Sequence, residues 1–401
     1  MHEEKKLTKR QLWRNNIEAV IILTVLLIII GSVSIFSSSF VLSIDLADHP
    51  YSFLRKHLIN LAIGLVLCVA FAKFNYHRLS GNLMVLATVG IIGTLIMVLV
   101  AGDVVNGARR WLSVGPIGFQ PSEFAKLFGV ILMANFIKHE MNLGHRLTLW
   151  NGRYLVYILI FLIIELEPDL GTAAIFITIP IIMLVLSGLS LRQVGQLAGL
   201  AALAVVGMVI YQPYRLERIL VWFDPFAEAT TSGFQTVQSI ITIGSGQLAG
   251  MGLGEGLSKF DYLPEAHTDF AAAILAQEVG FIAIVLLVGL FAALGYFMLQ
   301  VAVQARDLYG QLLVTGLAIY IVGQAMANLL MVSGVLPVVG VPLPFISYGG
   351  SSLIATLIAI GITLNVAIES EKVRLEKERR AKIEEQARNR RRPVRLPEGY
   401  Q

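Results

Sequence analysis

The chain has 401 residues, of which 56% are hydrophobic and only 14% charged, with a formal net charge of +4. Soluble domains carry about 25% charged residues, so one water-soluble core cannot hide this much apolar side chain, and the sequence reads as an integral membrane protein. A single cysteine, Cys68, excludes an internal disulfide or a cysteine-based metal site, and basic residues gathered at the ends without a base-reading motif argue against a nucleic-acid partner.

Residues 1–16 are basic, with Lys5, Lys6, Lys9, Arg10 and Arg14, and the apolar run from about 17 to 36 is longer than the roughly 7–15 residues of a signal-peptide core. It reads as a retained first helix. Further apolar runs near 57–73, 82–101, 122–137, 153–166, 171–187, 191–211, 270–303, 311–332 and 347–368 predict an all-α polytopic fold of about ten transmembrane helices. The run at 153–166 is short, and that at 270–303 is long enough to extend beyond the hydrocarbon. Lys and Arg concentrate on the termini and on the loops of their side, so the positive-inside rule places both termini in the cytoplasm. The 102–121 loop, the 167–169 turn, the 333–348 loop and a large 212–269 loop then face outward. Within the last, Phe234, Val237, Ile240 and Ile241 stand at helical spacing and predict a short helix at the membrane surface. The chain thus divides into the basic segment 1–16, a transmembrane domain 17–370 and a charged cytoplasmic tail 371–401, where Lys/Arg alternate with Glu and a frayed helix that becomes a disordered, lipid-attracted tail is expected.

Polar residues gathered at one outer mouth suggest a site: Lys259, Asp261, Glu265, His267 and Asp269 precede a long apolar run. Asp269 directly before that run has two readings, a helix N-cap or a desolvated general base. His267, two residues away, shares a face with Asp269 only in an extended segment. Glu278, nine residues on, would lie on the opposite face of a continuous helix and contact a neighbour. Glu123 and Lys126, at i and i+3, suit an ion pair, and with Arg109 and Arg110 they also suit a diphosphate. Glu167-Pro168-Asp169 reads as a helix stop followed by a cap. Pro342–Ser352 reads as a rigid turn whose Ser351 and Ser352 begin a helix with its anion-attracting end. Ala272, Ala273, Ala276 and Gly280 lie on nearly one stripe with Asp269, either a close-packing seam or a groove for substrate.

The motifs YLPEAHTDF (262–270) after the GLG turn at 252–254, GARRW (107–111), QPSEFAK (120–126), EPDLGT (167–172), GFQTVQS (233–239) and PLPFISYGGSS (342–352) together resemble the SEDS membrane proteins, the FtsW and RodA group, with the FtsW branch favoured. Where that family often has Ile-Phe after HTDF, this chain has Ala271-Ala272, and Ala276-Gln277-Glu278 stands in place of Gly-Glu-Glu. The resemblance implies an inverting peptidoglycan glycosyltransferase that polymerises lipid II at the outer face of the bacterial cytoplasmic membrane. It implies Asp269 as the catalytic carboxylate. For substrate binding it implies Arg109, Glu123, Lys126, Lys259, His267, Glu278, Ser351 and Ser352. A divalent cation, magnesium or manganese, suits the diphosphate, though no ligand set is legible, and no organic cofactor is expected. The implied partners are a class B penicillin-binding protein and other division or elongation membrane proteins. A flippase for the lipid-linked precursor and a non-catalytic scaffold remain as alternatives.

Overall fold

A backbone among hydrocarbon chains can pair its N–H and C=O groups only within itself, and each of the ten apolar runs is helical. The structure, a computed structural model, describes residues 2–47, 49–105, 108–114, 117–149, 151–211, 220–260 and 262–390; Asp261, residues 212–219 of the large loop and the end of the tail lie outside them. The helices are α1 (His2–Ala47), α2 (Ser52–Lys73), α3 (Asn82–Ala101), α4 (Pro121–Asn142), α5 (Leu155–Leu166), α6 (Leu170–Leu186), α7 (Leu191–Tyr211), the loop helix α8 (Phe234–Ser245), α9 (Ala271–Val303), α10 (Leu308–Val332) and α11 (Gly350–Arg390). The chain is an all-α polytopic membrane protein. Among the described residues, six helices are long and apolar enough to cross a membrane on length and composition, fewer than the ten runs. The short element is α5, whose 12 residues rise only about 18 Å against a hydrocarbon core of about 30 Å. Glu167, which caps its C-terminal end, is fully buried between the exposed Leu166 and Pro168.

Two local departures from the sequence reading have plain causes. The 102–121 loop folds into a three-stranded antiparallel unit, β1 (Asp103–Val105), β2 (Ala108–Val114) and β3 (Ile117–Phe119), pairing Val104 with Arg109 and Ser113 with Gly118. Its Val, Ile, Trp and Phe residues suit strands, and the stretch is too short for another span. The charged stretch from Glu371 continues the last helix as far as Arg390, farther than a frayed end, and residues 391–401, where the disordered tail is expected, lie outside the described residues. Glu and Lys at one-turn spacing pair along it, as Lys372 does with Glu369 at 2.8 Å.

At the centre α11 packs along α2 and α10 along both α9 and α4. Of the six long helices α11 is the most buried. The largest deviation is in α9, which is not one continuous helix: Gly280 has φ 81°, a left-handed conformation that splits it in two. The break frees backbone groups, and loop residues 247–252 satisfy them. Met251 and Gly252 N–H donate to the Gln277 and Glu278 carbonyls, both at 3.0 Å; Phe281 and Ile282 N–H donate to those of Gln247 and Leu248, at 2.9 and 3.3 Å. Gly250, at φ 84°, permits this approach, since a Cβ there would overlap the Glu278 carbonyl.

The small-residue stripe is a packing seam. Ala272, Ala273 and Ala276 are buried, and Gly246, at the end of α8, lies directly against the Ala276 carbonyl. Ala276→Phe should therefore lower the thermal midpoint in detergent, by the equivalent of the ~1–3 kcal/mol typical of overfilled cores. An unchanged midpoint would show that the seam is open.

Candidate active site

The loops at one end of the bundle enclose a cleft of about 960 Å³. Six sequence motifs meet in it: Arg110 and Trp111; Gln120 and Glu123; Pro168, Asp169 and Thr172; Gln235; Glu265, Thr268, Asp269 and Phe270; Pro342, Tyr348, Gly349 and Ser352. Among the described residues its charged lining is two cations, Lys56 and Arg110, and five carboxylates, Asp103, Glu123, Asp169, Glu265 and Asp269.

Asp269 stands at the start of α9 without capping it, for the N-cap is Phe270 and no side chain caps that end. Instead its backbone carbonyl accepts a 2.8 Å bond from Asn328 Nδ2 on α10, fixing the residue while leaving the carboxylate toward the cleft. Burial pushes the Asp269 carboxyl up to about 7; Glu265, Asp169 and Glu123 raise it further, with Arg110 pulling the other way. Glu167 behaves alike: burial, then Asp169, push it up to about 8, and neither of its carboxylate oxygens has a hydrogen-bond partner among the described residues. Asp169 is the cap that the sequence suggests, accepting from Thr172 N–H at 3.2 Å and from Gln120 Nε2 at 3.1 Å.

The arginine in the cleft is Arg110, not Arg109. Successive residues of a strand point to opposite faces, so β2 can send only one of the pair inward. Arg109 turns to the end of α3 and donates to the Val100 carbonyl at 3.0 Å, a cation on a helix C-terminus. Arg110 donates from Nε to the Glu167 carbonyl at 3.2 Å and from Nη2 to that of Pro168, which still leaves guanidinium N–H groups for a ligand.

Other candidates divide between the cleft and its supports. Glu123 lines the cleft, whereas Lys126 lies fully buried behind it, bonded to Glu123 at 2.7 Å and to Gln324 at 2.8 Å. Lys126 thus holds Glu123 and does not line the cleft. Ser352 lines it and accepts from Gln324 Nε2 at 3.3 Å, while Ser351 spends its hydroxyl accepting the Gln120 N–H at 2.9 Å. His267 faces an annex of about 240 Å³ beside the cleft, its ring edge-on to Phe53 at 5.2 Å and tilted on Tyr348 at 5.8 Å. Burial lowers its pKa, so it stands neutral at pH 7. Lys259 and Glu278 lie away from the cleft, paired with each other at 3.0 Å. Lys56, which charge counting alone marks as an outer-side cation, lines both cavities from the first turn of α2.

The profile of a family described as cell cycle protein, FtsW/RodA/SpoVE, matches residues 18–372. The chain is 36% identical over 355 residues to the stage V sporulation protein E of Bacillus subtilis, covering 87% of this chain and 96% of the relative. It is also 36% identical over 359 residues to a Coxiella burnetii protein named Probable peptidoglycan glycosyltransferase FtsW, covering 88% and 96%. Among solved structures it is similar to a chain from a study of how a peptidoglycan synthase complex coordinates polymerization and crosslinking. That match has a TM-score of 0.71 and 29% identity and covers 88% of this chain and 97% of that one. The rod shape determining protein RodA of Thermus thermophilus matches with a TM-score of 0.63 and 28% identity, over 88% and 96%.

The raised Asp269 pKa carries a signed consequence. Below the ordinary carboxylate value of 3.8 the folded and unfolded chains both hold the proton; above about 7 both have lost it, and the fold bears the full cost of the desolvated charge. Asp269→Asn should therefore raise the thermal midpoint at pH 8, and the gain should shrink toward pH 4. A gain that is absent at pH 8, or the same at both, would contradict the desolvated placement.

Proposed function

Because the chain belongs to the FtsW–RodA–SpoVE family of cell cycle proteins, we propose that it is a peptidoglycan glycosyltransferase polymerising lipid II, serving the cell wall made at division. The observation that carries this reading is the uncapped Asp269 carboxylate, held near neutral pKa in the cleft that Arg110 and Lys56 also line. An aspartate at its ordinary pKa is a weak base; one raised to about 7 is ionised in half its copies at neutral pH and takes a proton readily. In this mechanism Asp269 removes the proton from an acceptor sugar hydroxyl. That oxygen then bonds to the anomeric carbon of the glycan donor from the face opposite the polyprenyl diphosphate. The bond to the diphosphate breaks with inversion. Its developing charge meets Arg110, Lys56 and the N-terminal end of α11 at Gly349 and Ser352.

With five carboxylates against two cations, the lining favours a divalent cation arriving with the diphosphate. Among the described residues no three possible ligands surround one point. Such an ion, magnesium or manganese, would be held by one or two of the other carboxylates, such as Glu265, together with phosphate oxygens. Such an ion would neutralise diphosphate charge. Residues of all six motifs line this one cleft, which favours an enzyme over a carrier with alternating access. All ten helical runs cross the bacterial inner membrane in this reading, with both termini cytoplasmic and the cleft outward. The partner is a class B penicillin-binding protein that crosslinks the new strand.

The test is glycan synthesis from lipid II by the purified protein with its partner. Asp269→Asn should abolish it, and wild-type kcat should rise with pH through about 7. Arg110→Ala should lose about 100-fold or more, Arg110→Lys recover part, and Arg109→Ala stay near wild type. Full activity of Asp269→Asn would sink the assignment, and equal losses at Arg109 and Arg110 would remove the leaving-group role from Arg110.

A further inference from the structure

Outside the cleft, one polar cluster lies entirely within the protein interior. Lys259, Glu278 and Ser37 are 8%, 2% and 7% exposed. The Lys259 ammonium donates to Glu278 Oε1 at 3.0 Å, to Ser37 Oγ at 3.2 Å and to the Gly254 carbonyl at 2.6 Å, and the Ser37 hydroxyl donates to the same Glu278 oxygen at 2.5 Å. All three ammonium protons are used. A buried ion pair is a poor source of stability, because desolvation offsets its attraction, so its retention calls for another account. Its place supplies one. Glu278 ends the first half of α9, about 13 Å along the axis from Asp269 at the other end. The break at Gly280 frees that half-helix from the direction of the membrane-crossing half. Asn328 pins its Asp269 end; the cluster ties its Glu278 end to α1 through Ser37.

We propose that Ser37, Lys259 and Glu278 are positioning residues, a latch between α1 and the first half of α9 that holds Asp269 in register with Arg110 across the cleft. This rests on the reading of Asp269 as the base. The latch touches no substrate and acts on orientation, so its loss changes kcat more than KM. It also lets Asp269 relax toward water, which moves the acidic limb of the pH profile downward.

The test uses the full chain with its partner and lipid II, measuring kcat, KM, the pH dependence of kcat and the thermal midpoint. In Lys259→Met/Glu278→Leu both charges give way to apolar groups, so the thermal midpoint should hold. Its kcat should fall about 10- to 100-fold, the range that a displacement near 1 Å produces, with KM within about twofold and the acidic limb shifted down. Wild-type kcat and pH profile in that variant would overturn the proposal. Should it fail to fold, Ser37→Ala decides, since it deletes one hydroxyl: a lower kcat at unchanged KM and thermal midpoint supports the latch, and an unchanged kcat and acidic limb overturns it. Asp269→Asn runs alongside. If that variant is active, the base assignment fails; if it is inactive while the latch variants behave as wild type, only the latch fails.

Discussion

A helix that breaks inside a membrane protein leaves backbone groups that hydrocarbon cannot satisfy, and the cleft end of this structure is arranged around one such break. At Gly280 the chain turns through φ 81°, and loop residues 247–252 lie against the gap and pair with the freed groups on both sides. That pairing seats the loop beside α9, and together with Asn328 and the Lys259–Glu278–Ser37 cluster it sets the direction of the half-helix that begins after Asp269. Close approach at Gly250 and Gly280 is what admits the loop, so two side-chain-free positions decide where a carboxylate some ten residues away ends up.

The electrostatics of the cleft follow from this placement. Among the described residues five carboxylates share a cavity of about 960 Å³ with two cations, an arrangement that costs stability unless a ligand supplies positive charge or some carboxyls keep their protons. Asp269 and the neighbouring Glu167 both move in the protonated direction, and burial is the leading cause for each. Lys126 offsets part of the cost from behind by pairing with Glu123. Short α5 ends at this cleft, where Glu167 is buried while Pro168 and Asp169 line it.

Much of this was legible in the residues. Hydrophobic run lengths gave the ten long runs as helices, helical spacing gave α8, and alternating loop sides put the motif regions on one face of the bundle; residues from those regions line one cleft. The pairing of Glu123 with Lys126 and the capping by Asp169 were readable from spacing alone. Three features were not. Choosing between Arg109 and Arg110 needed the knowledge that 108–114 is a strand and which face it turns inward, and seven residues of mixed character do not reveal this. The break in α9 was hidden because one glycine in an apolar run also fits an unbroken helix; its cause is the loop packed against it, a long-range contact. The places of Lys259 and Lys56 were hidden for a similar reason. Both are cations on outer-side segments, and only packing turns one into an interior ion pair and the other into the wall of the cleft.

The central claim is that the fold holds the Asp269 carboxyl half-protonated at neutral pH, ready to accept a proton. Infrared difference spectra of the wild-type protein against Asp269→Asn, recorded from pH 3 to pH 9, observe that group directly through its protonated C=O stretch. The account predicts a carboxyl band that is lost with a midpoint near 7. A band lost near the ordinary value of 3.8 would contradict it, because the carboxylate would then be solvated and too weak a base for the role assigned to it.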